Sequence, residues 1–165
     1  MQITLHNGRA VNFRFEHGQQ HGLLPLVPMT RNLVSHANKV KDQSDMSAYD
    51  QNNIFAKILR GEIPNDTVYE DDHVLAFNDI APQAPIHILV IPKGAYVSID
   101  DFGANASADE IKAFHAAIAK IIEQKNLKTD GFRVISNTGR HGGQEVPHYH
   151  AHILAGKKLG PMLSA

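Results

Sequence analysis

From His148 to Leu154 the chain reads His-Tyr-His-Ala-His-Ile-Leu, an alternation with a period of two. In a β-strand successive side chains point to opposite faces. The pattern therefore puts His148, His150 and His152 on one face and Tyr149, Ala151 and Ile153 on the other. Ordinary strand preferences give no reason for three imidazoles in one row. The pattern fixes a strand here and marks one of its faces for imidazole chemistry.

The neighbouring segments complete a small α+β fold. Asn53 suits the N-cap of a short helix through Ile54, Phe55, Ile58 and Leu59, with Gly61 to stop it. Thr67–Glu70 and Val74–Phe77 read as paired strands around the acidic turn Asp71-Asp72. A proline-rich loop, Asp79 to Pro85, leads into the apolar strand His87–Ile91, closed by Pro92. Ser107-Ala-Asp-Glu110 is a capping box that opens the longest helix, to about Gln124, with Ile111, Phe114, Ile118, Ile121 and Ile122 as its buried stripe. Phe132–Ser136 is a strand, Asn137 to Pro147 a glycine-rich loop, and His148 to Leu154 the last strand. Two helices and about five mostly antiparallel strands predict an α+β domain over residues 51–165.

Residues 1–50 follow a different pattern and are expected to form an N-terminal extension. Short alternations at Met1–Leu5 and Val11–Phe15 suit a hairpin around Asn7-Gly8, and Gly18, Gly22, Pro25 and Pro28 then interrupt it. Three readings stay open: a mobile extension, a strand pair packed on the body, or translation from a start upstream of the usual one, with Met46 just ahead of the body. Few acids here would suit a mitochondrial presequence, but basic residues are also sparse and helical amphipathicity is poor.

Composition narrows the function classes. A net charge of -1 provides no global basic field for nucleic acid or an anionic membrane, so an anionic ligand needs a local site. The chain has no cysteine, which excludes disulfides, thiol catalysis and Cys-based metal sites and fits a reducing compartment, with the cytoplasm as the expected location. No run approaches the length of a membrane span.

The histidine row has three readings: a solvent-facing polar sheet face, a metal site, or a catalytic centre. Histidines at i, i+2 and i+4 cover roughly 13 Å of strand, so one zinc does not easily take all three, although two could chelate with help from His87. For catalysis, one imidazole attacks while its neighbours carry protons or stabilise charge near neutral pH. The adjoining loop favours catalysis on phosphate. Gly139, Gly142 and Gly143 permit tight turns that present N–H groups to an anion, Gln144 adds a neutral amide donor, and Asn137 is a loop-fixing or ligand-binding amide. Nothing matches a P-loop.

These residues together resemble the histidine triad (HIT) family of nucleotide-binding hydrolases and transferases, whose signature is His-x-His-x-His followed by two apolar residues. Within it the chain is most similar to the histidine triad nucleotide-binding proteins, the purine nucleoside phosphoramidases. The segments that carry the likeness are Asn53-Ile-Phe-Ala-Lys-Ile, Gly61-Glu-Ile-Pro64, Ala76-Phe-Asn-Asp-Ile80, Pro82-Gln-Ala-Pro85, His87-Ile-Leu-Val-Ile-Pro92, Gly142-Gly-Gln-Glu-Val146 and Lys157-Lys-Leu-Gly-Pro-Met162. The resemblance spans about residues 52 to 163.

The resemblance implies hydrolysis of the P–N bond of purine nucleoside 5′-phosphoramidates, giving the nucleoside monophosphate through a nucleotidyl-histidine. It implies His150 as the nucleophile and His152 as the group that contacts phosphate and assists proton transfer to the leaving group. His148 and His87 would be the pair that supports the nucleophile. Asp79 would take the ribose hydroxyls, a suitable partner because a carboxylate accepts two hydroxyl hydrogens. Ile54, Phe55, Phe77 and Ile80 would clamp the base, and Asn137, Gly143, Gln144, Glu145 and Val146 would line the phosphate side. Each of these has a plainer reading beside it: core for the apolar four, a turn cap on Ala81 for Asp79, a satisfied strand-start histidine for His87, and turn or loop residues for the rest. The resemblance also implies a homodimer built on the long helix and a strand, and a reaction needing neither metal nor cofactor.

Some positions depart from the family pattern. Glu145 stands where the similar eukaryotic members carry serine near the leaving group, Asn78 replaces a histidine, and the C-terminal tryptophan is missing. His141 adds a loop imidazole, and Pro147 stiffens the approach to the triad. Two other functions remain in view: a nucleotide-binding regulatory module with incidental hydrolysis, and a dinucleoside polyphosphate hydrolase, against which the loop and the Pro-Gln-Ala-Pro segment argue.

Overall fold

The computed structural model describes residues 49–163. The hairpin expected around Asn7-Gly8 and the readings of the extension up to residue 48 lie outside them. Five strands form one sheet in the order β1-β2-β3-β5-β4, and every neighbouring pair is antiparallel. They are β1 (Thr67–Glu70), β2 (Val74–Asn78), β3 (Ile86–Pro92), β4 (Phe132–Ile135) and β5 (Ala151–Ala155). The helices are α1 (Ile54–Leu59), α2 (Ile99–Asn105), α3 (Ala108–Gln124) and the single turn α4 (Gly139–Gly142).

The strands alternate between two apolar layers. Val74 and Ala76 of β2, Ile88 and Val90 of β3, and Ala151, Ile153 and Ala155 of β5 pack with Phe102 of α2 and Phe114, Ala117 and Ile121 of α3. Leu75, Phe77, Leu89 and Ile91 point to the other face and pack with Phe55 and Ile58 of α1. Because both faces are covered, β2 and β3 read as nearly continuous apolar runs. His87 and His152 belong to the second face, in phase with Leu89 and Leu154.

Local signals set the helices. The Asn53 side chain accepts from Ala56 N at the start of α1, and Gly61, at φ +73°, follows its end. The Ser107–Glu110 capping box opens α3 as expected. Helix α2 goes beyond the two helices expected. Ser98 caps it, Asp100 and Asp101 sit in its first turn, and Phe102 stacks on Tyr149. The glycine-rich segment is also more ordered than a loop, with α4 inside it and Gly143 in the left-handed region at φ +73° after the turn.

The last strand begins later than the alternation predicts, at Ala151 and not His148. Continuing the β3–β5 register would set Tyr149 opposite Pro92, which has no N–H to offer a ladder. Other groups take the freed backbone: Tyr149 N donates to Tyr96 O at 2.6 Å, and Ser136 Oγ donates to His150 O at 3.0 Å. No helix among the described residues is long and apolar enough to cross a membrane.

Candidate active site

The three histidines meet at the edge of the α1-side layer, where β5 emerges from the preceding loop. Phe55 stands edge-on to His148 and His150, with ring centroids 6.1 Å and 5.2 Å away, and His150 and His152 are 4.9 Å apart. His148 and His150 are buried, and His152 is half-buried.

Their fixed partners assign the tautomers. His148 Nε2 lies 2.9 Å from Pro92 O, an acceptor only, so Nε2 carries the hydrogen and Nδ1 accepts from the Tyr49 hydroxyl. His150 Nδ1 donates to His148 O at 2.6 Å, which leaves Nε2 with a free lone pair. At His87, Nδ1 accepts from Gln83 N at 3.2 Å, so Nε2 is the donor. It donates to His152 Nδ1 at 2.9 Å, and the hydrogen of His152 is therefore on Nε2. An imidazole lone pair thus stands beside an imidazole N–H.

Burial keeps the triad neutral. Desolvation pushes His148 down to about 4, against its bond to Pro92 O. His152 is also pushed to about 4, first by desolvation and then by the neighbouring His150 and His87, with Asp79 opposing. His150 is lowered by desolvation, while its bond to His148 O and the carboxylates of Asp79 and Glu145 pull the other way.

The remaining expected residues divide. Phe55 and Phe77 are buried in T-shaped contact, and Val146 packs on their cluster. Ile54 is 42% exposed and Ile80 97% exposed, so Ile80 stands apart from that wall, on a loop facing solvent. Asp79 makes the turn cap: Oδ1 accepts from Ala81 N at 2.8 Å, while Oδ2 lies 3.4 Å from His87 Nε2. Asn137 is half-buried, and Gly143 and Glu145 are exposed.

One assignment needs correction. Gln144 is not a free donor. Its Nε2 donates to Val97 O at 2.6 Å and Val146 O at 3.0 Å, and its Oε1 accepts from Gly139 N at 2.9 Å, so the side chain holds the loop. His87, expected with His148 to support the nucleophile, bonds through its ring to His152, the neighbour of His150, because the antiparallel register sets the two diagonally across β3 and β5. Asp79, His87 and His152 also each present a ligand atom within 4.8 Å of the others, a group able to hold a metal ion. Sequence reading missed Tyr49, Gln83 and Ser136. Two act partly through the backbone and none lies on a periodic pattern.

The HIT domain family profile matches residues 60–159. The chain belongs to the HIT family. Among HIT relatives, the purine nucleoside phosphoramidase of Escherichia coli K12 is 53% identical over 114 residues, which cover 67% of this chain and 92% of that protein. An uncharacterized 13.2 kDa HIT-like protein of Azospirillum brasilense is 53% identical over 116 residues, 70% of this chain and 95% of the relative. A histidine triad protein from Clostridium difficile superposes with a TM-score of 0.62 at 54% identity, covering 67% of this chain and 95% of that one. The open five-stranded sheet with its helices is thus a HIT fold.

Proposed function

We propose that this HIT-family hydrolase cleaves the P–N bond of purine nucleoside 5′-phosphoramidates to give the nucleoside monophosphate, through a nucleotidyl-histidine on His150. The supporting observation is the pairing of tautomers: the His150 Nε2 lone pair beside the His152 Nε2–H. The lone pair attacks the α-phosphorus as the P–N bond breaks. The nitrogen leaves as a neutral amine, keeping the proton its protonated phosphoramidate form already carries. His152 Nε2–H donates to a phosphoryl oxygen and stabilises the developing charge. The His150 ring becomes cationic, and the His148 carbonyl on Nδ1–H together with the Asp79 and Glu145 carboxylates favour that state. Water then attacks phosphorus, the P–N bond to His150 breaks with the electron pair returning to Nε2, and the proton released goes to the free amine. Phe55 and Phe77 supply apolar surface for the base, and Asp79 is the acceptor for the ribose hydroxyls.

A homodimer belongs to this reading. The edge strand β4 leaves Phe132 and Val134 each 41% exposed, a row suited to pairing with a second copy.

The test is turnover of adenosine 5′-phosphoramidate by the intact chain and by His150→Ala, each with and without chelator. Chelator-resistant AMP release, lost in His150→Ala, with an adenylate trapped on His150 in the intact protein, is the expected result. Nucleotide binding without turnover by the intact chain would replace hydrolysis with a binding role.

A further inference from the structure

We propose that Tyr49 is a positioning residue for the reaction, its hydroxyl holding the orientation of His148 and, through the His148 carbonyl, the nucleophile His150. The role rests on the phosphoramidase reading for its chemistry and on geometry alone for its contact. Tyr49 lies upstream of the matched family span, 99 positions before His148.

His148 is fully buried, with both ring nitrogens engaged: Nε2–H donates to Pro92 O, and Nδ1 accepts from Tyr49. The two rings also meet edge-on, with centroids 5.4 Å apart. The clamp matters because the main chain of this same residue supplies the oxygen that fixes the His150 tautomer. If residue 148 shifts, that acceptor shifts, and the hydrogen of His150 is free to move to Nε2, the atom that must attack. Burial raises the Tyr49 phenol above its ordinary range, so it remains a donor at neutral pH.

The segment carrying Tyr49 is tied down. Asn52 N donates to Asp50 Oδ1 at 2.8 Å, Asn53 Nδ2 to Asp50 O at 2.7 Å, and Arg60 Nη1 to Gln51 O at 2.8 Å. Asn53 also caps α1, so the turn that starts this helix sets the position of Tyr49.

The test uses the full chain and Tyr49→Phe, with imidazole 15N NMR of His148 and steady-state kinetics on adenosine 5′-phosphoramidate. Loss of the hydroxyl should move the His148 Nδ1 resonance to that of an unbonded nitrogen. It should lower kcat about 3- to 10-fold, the worth of one hydrogen bond, with KM unchanged because Tyr49 acts through His148. Site-specific 3-fluorotyrosine at position 49, a stronger donor, should move the resonance the opposite way and decides the matter if Tyr49→Phe does not fold. An unmoved resonance, an unchanged kcat, or a rise in KM alone overturns the proposal. If the intact chain has no phosphoramidase activity, the reaction falls separately, and the resonance alone decides whether Tyr49 holds His148.

Discussion

His87 Nε2 donates to His152 Nδ1 across β3 and β5, at 2.9 Å. This bond places the hydrogen of His152 on Nε2, the nitrogen that the proposed reaction uses as donor. His87→Ala removes the donor and frees His152 to exchange tautomers. Turnover of adenosine 5′-phosphoramidate should fall about 3- to 10-fold, while 15N NMR shows His152 as a tautomer mixture. A variant with wild-type kinetics would remove His87 from the proton arrangement.

Acid should destabilise the fold through His148. Its folded value is depressed to about 4 from 6.5, so the unfolded chain binds more protons between these values. The stabilisation is fully present above about pH 6.5 and is lost as pH falls toward 4. For a group this buried it amounts to about 3 kcal/mol. Urea unfolding from pH 7.5 to 4 measures the slope, and His148→Asn should reduce it, leaving the part that His152 and His150 contribute.

The same depressed values shape the activity profile. His150 and His152 are both lowered, so the attacking lone pair persists at pH values where an ordinary imidazole is charged. The acid limb of kcat/KM should fall below 6.5. A limb at or above 6.5 would mean that the site is more hydrated than its burial indicates.

Phe55 serves the α1-side layer and the triad together. It is 6% exposed and touches Phe77, His148 and His150. Phe55→Ala should lower stability by about 3 kcal/mol or more, measured by urea unfolding, and weaken nucleotide binding in the folded fraction.

Gln144 ties Gly139 N and Val146 O of the glycine-rich loop to each other and to Val97 O, ahead of α2. Gln144→Ala should cost about 1–3 kcal/mol of stability and raise KM more than it lowers kcat. The opposite split would assign the side chain to the chemical step.

The parts legible in the sequence were those with a strong local period or cap. The Ser107–Glu110 box and the spacing from Phe114 to Ile122 marked α3, and alternation marked the shared side of the three histidines. Helix α2 was hidden because it buries only Phe102 and contains Gly103, although Ser98-x-x-Asp101 was a usable start signal. The strand start was misplaced because period alone does not reveal that Pro92 lies opposite. Ile80 was placed in the base clamp through the resemblance, and its 97% exposure overturns only the plainer reading of it as core. Tyr49 and Gln83 carry no pattern. Their partners lie 99 and 4 positions away, and only the folded chain makes them meaningful.

In β5, His152 sits between Ala151 and Ile153, which fill the helix-side layer. A slip of one residue would drive His152 into that apolar layer and turn Ile153 to the face that carries the histidines. Misregistered molecules therefore forfeit chemistry and cohesion in the same event. Specific activity then doubles as a census of correctly paired molecules, so refolded preparations can be graded by turnover per mole of chain.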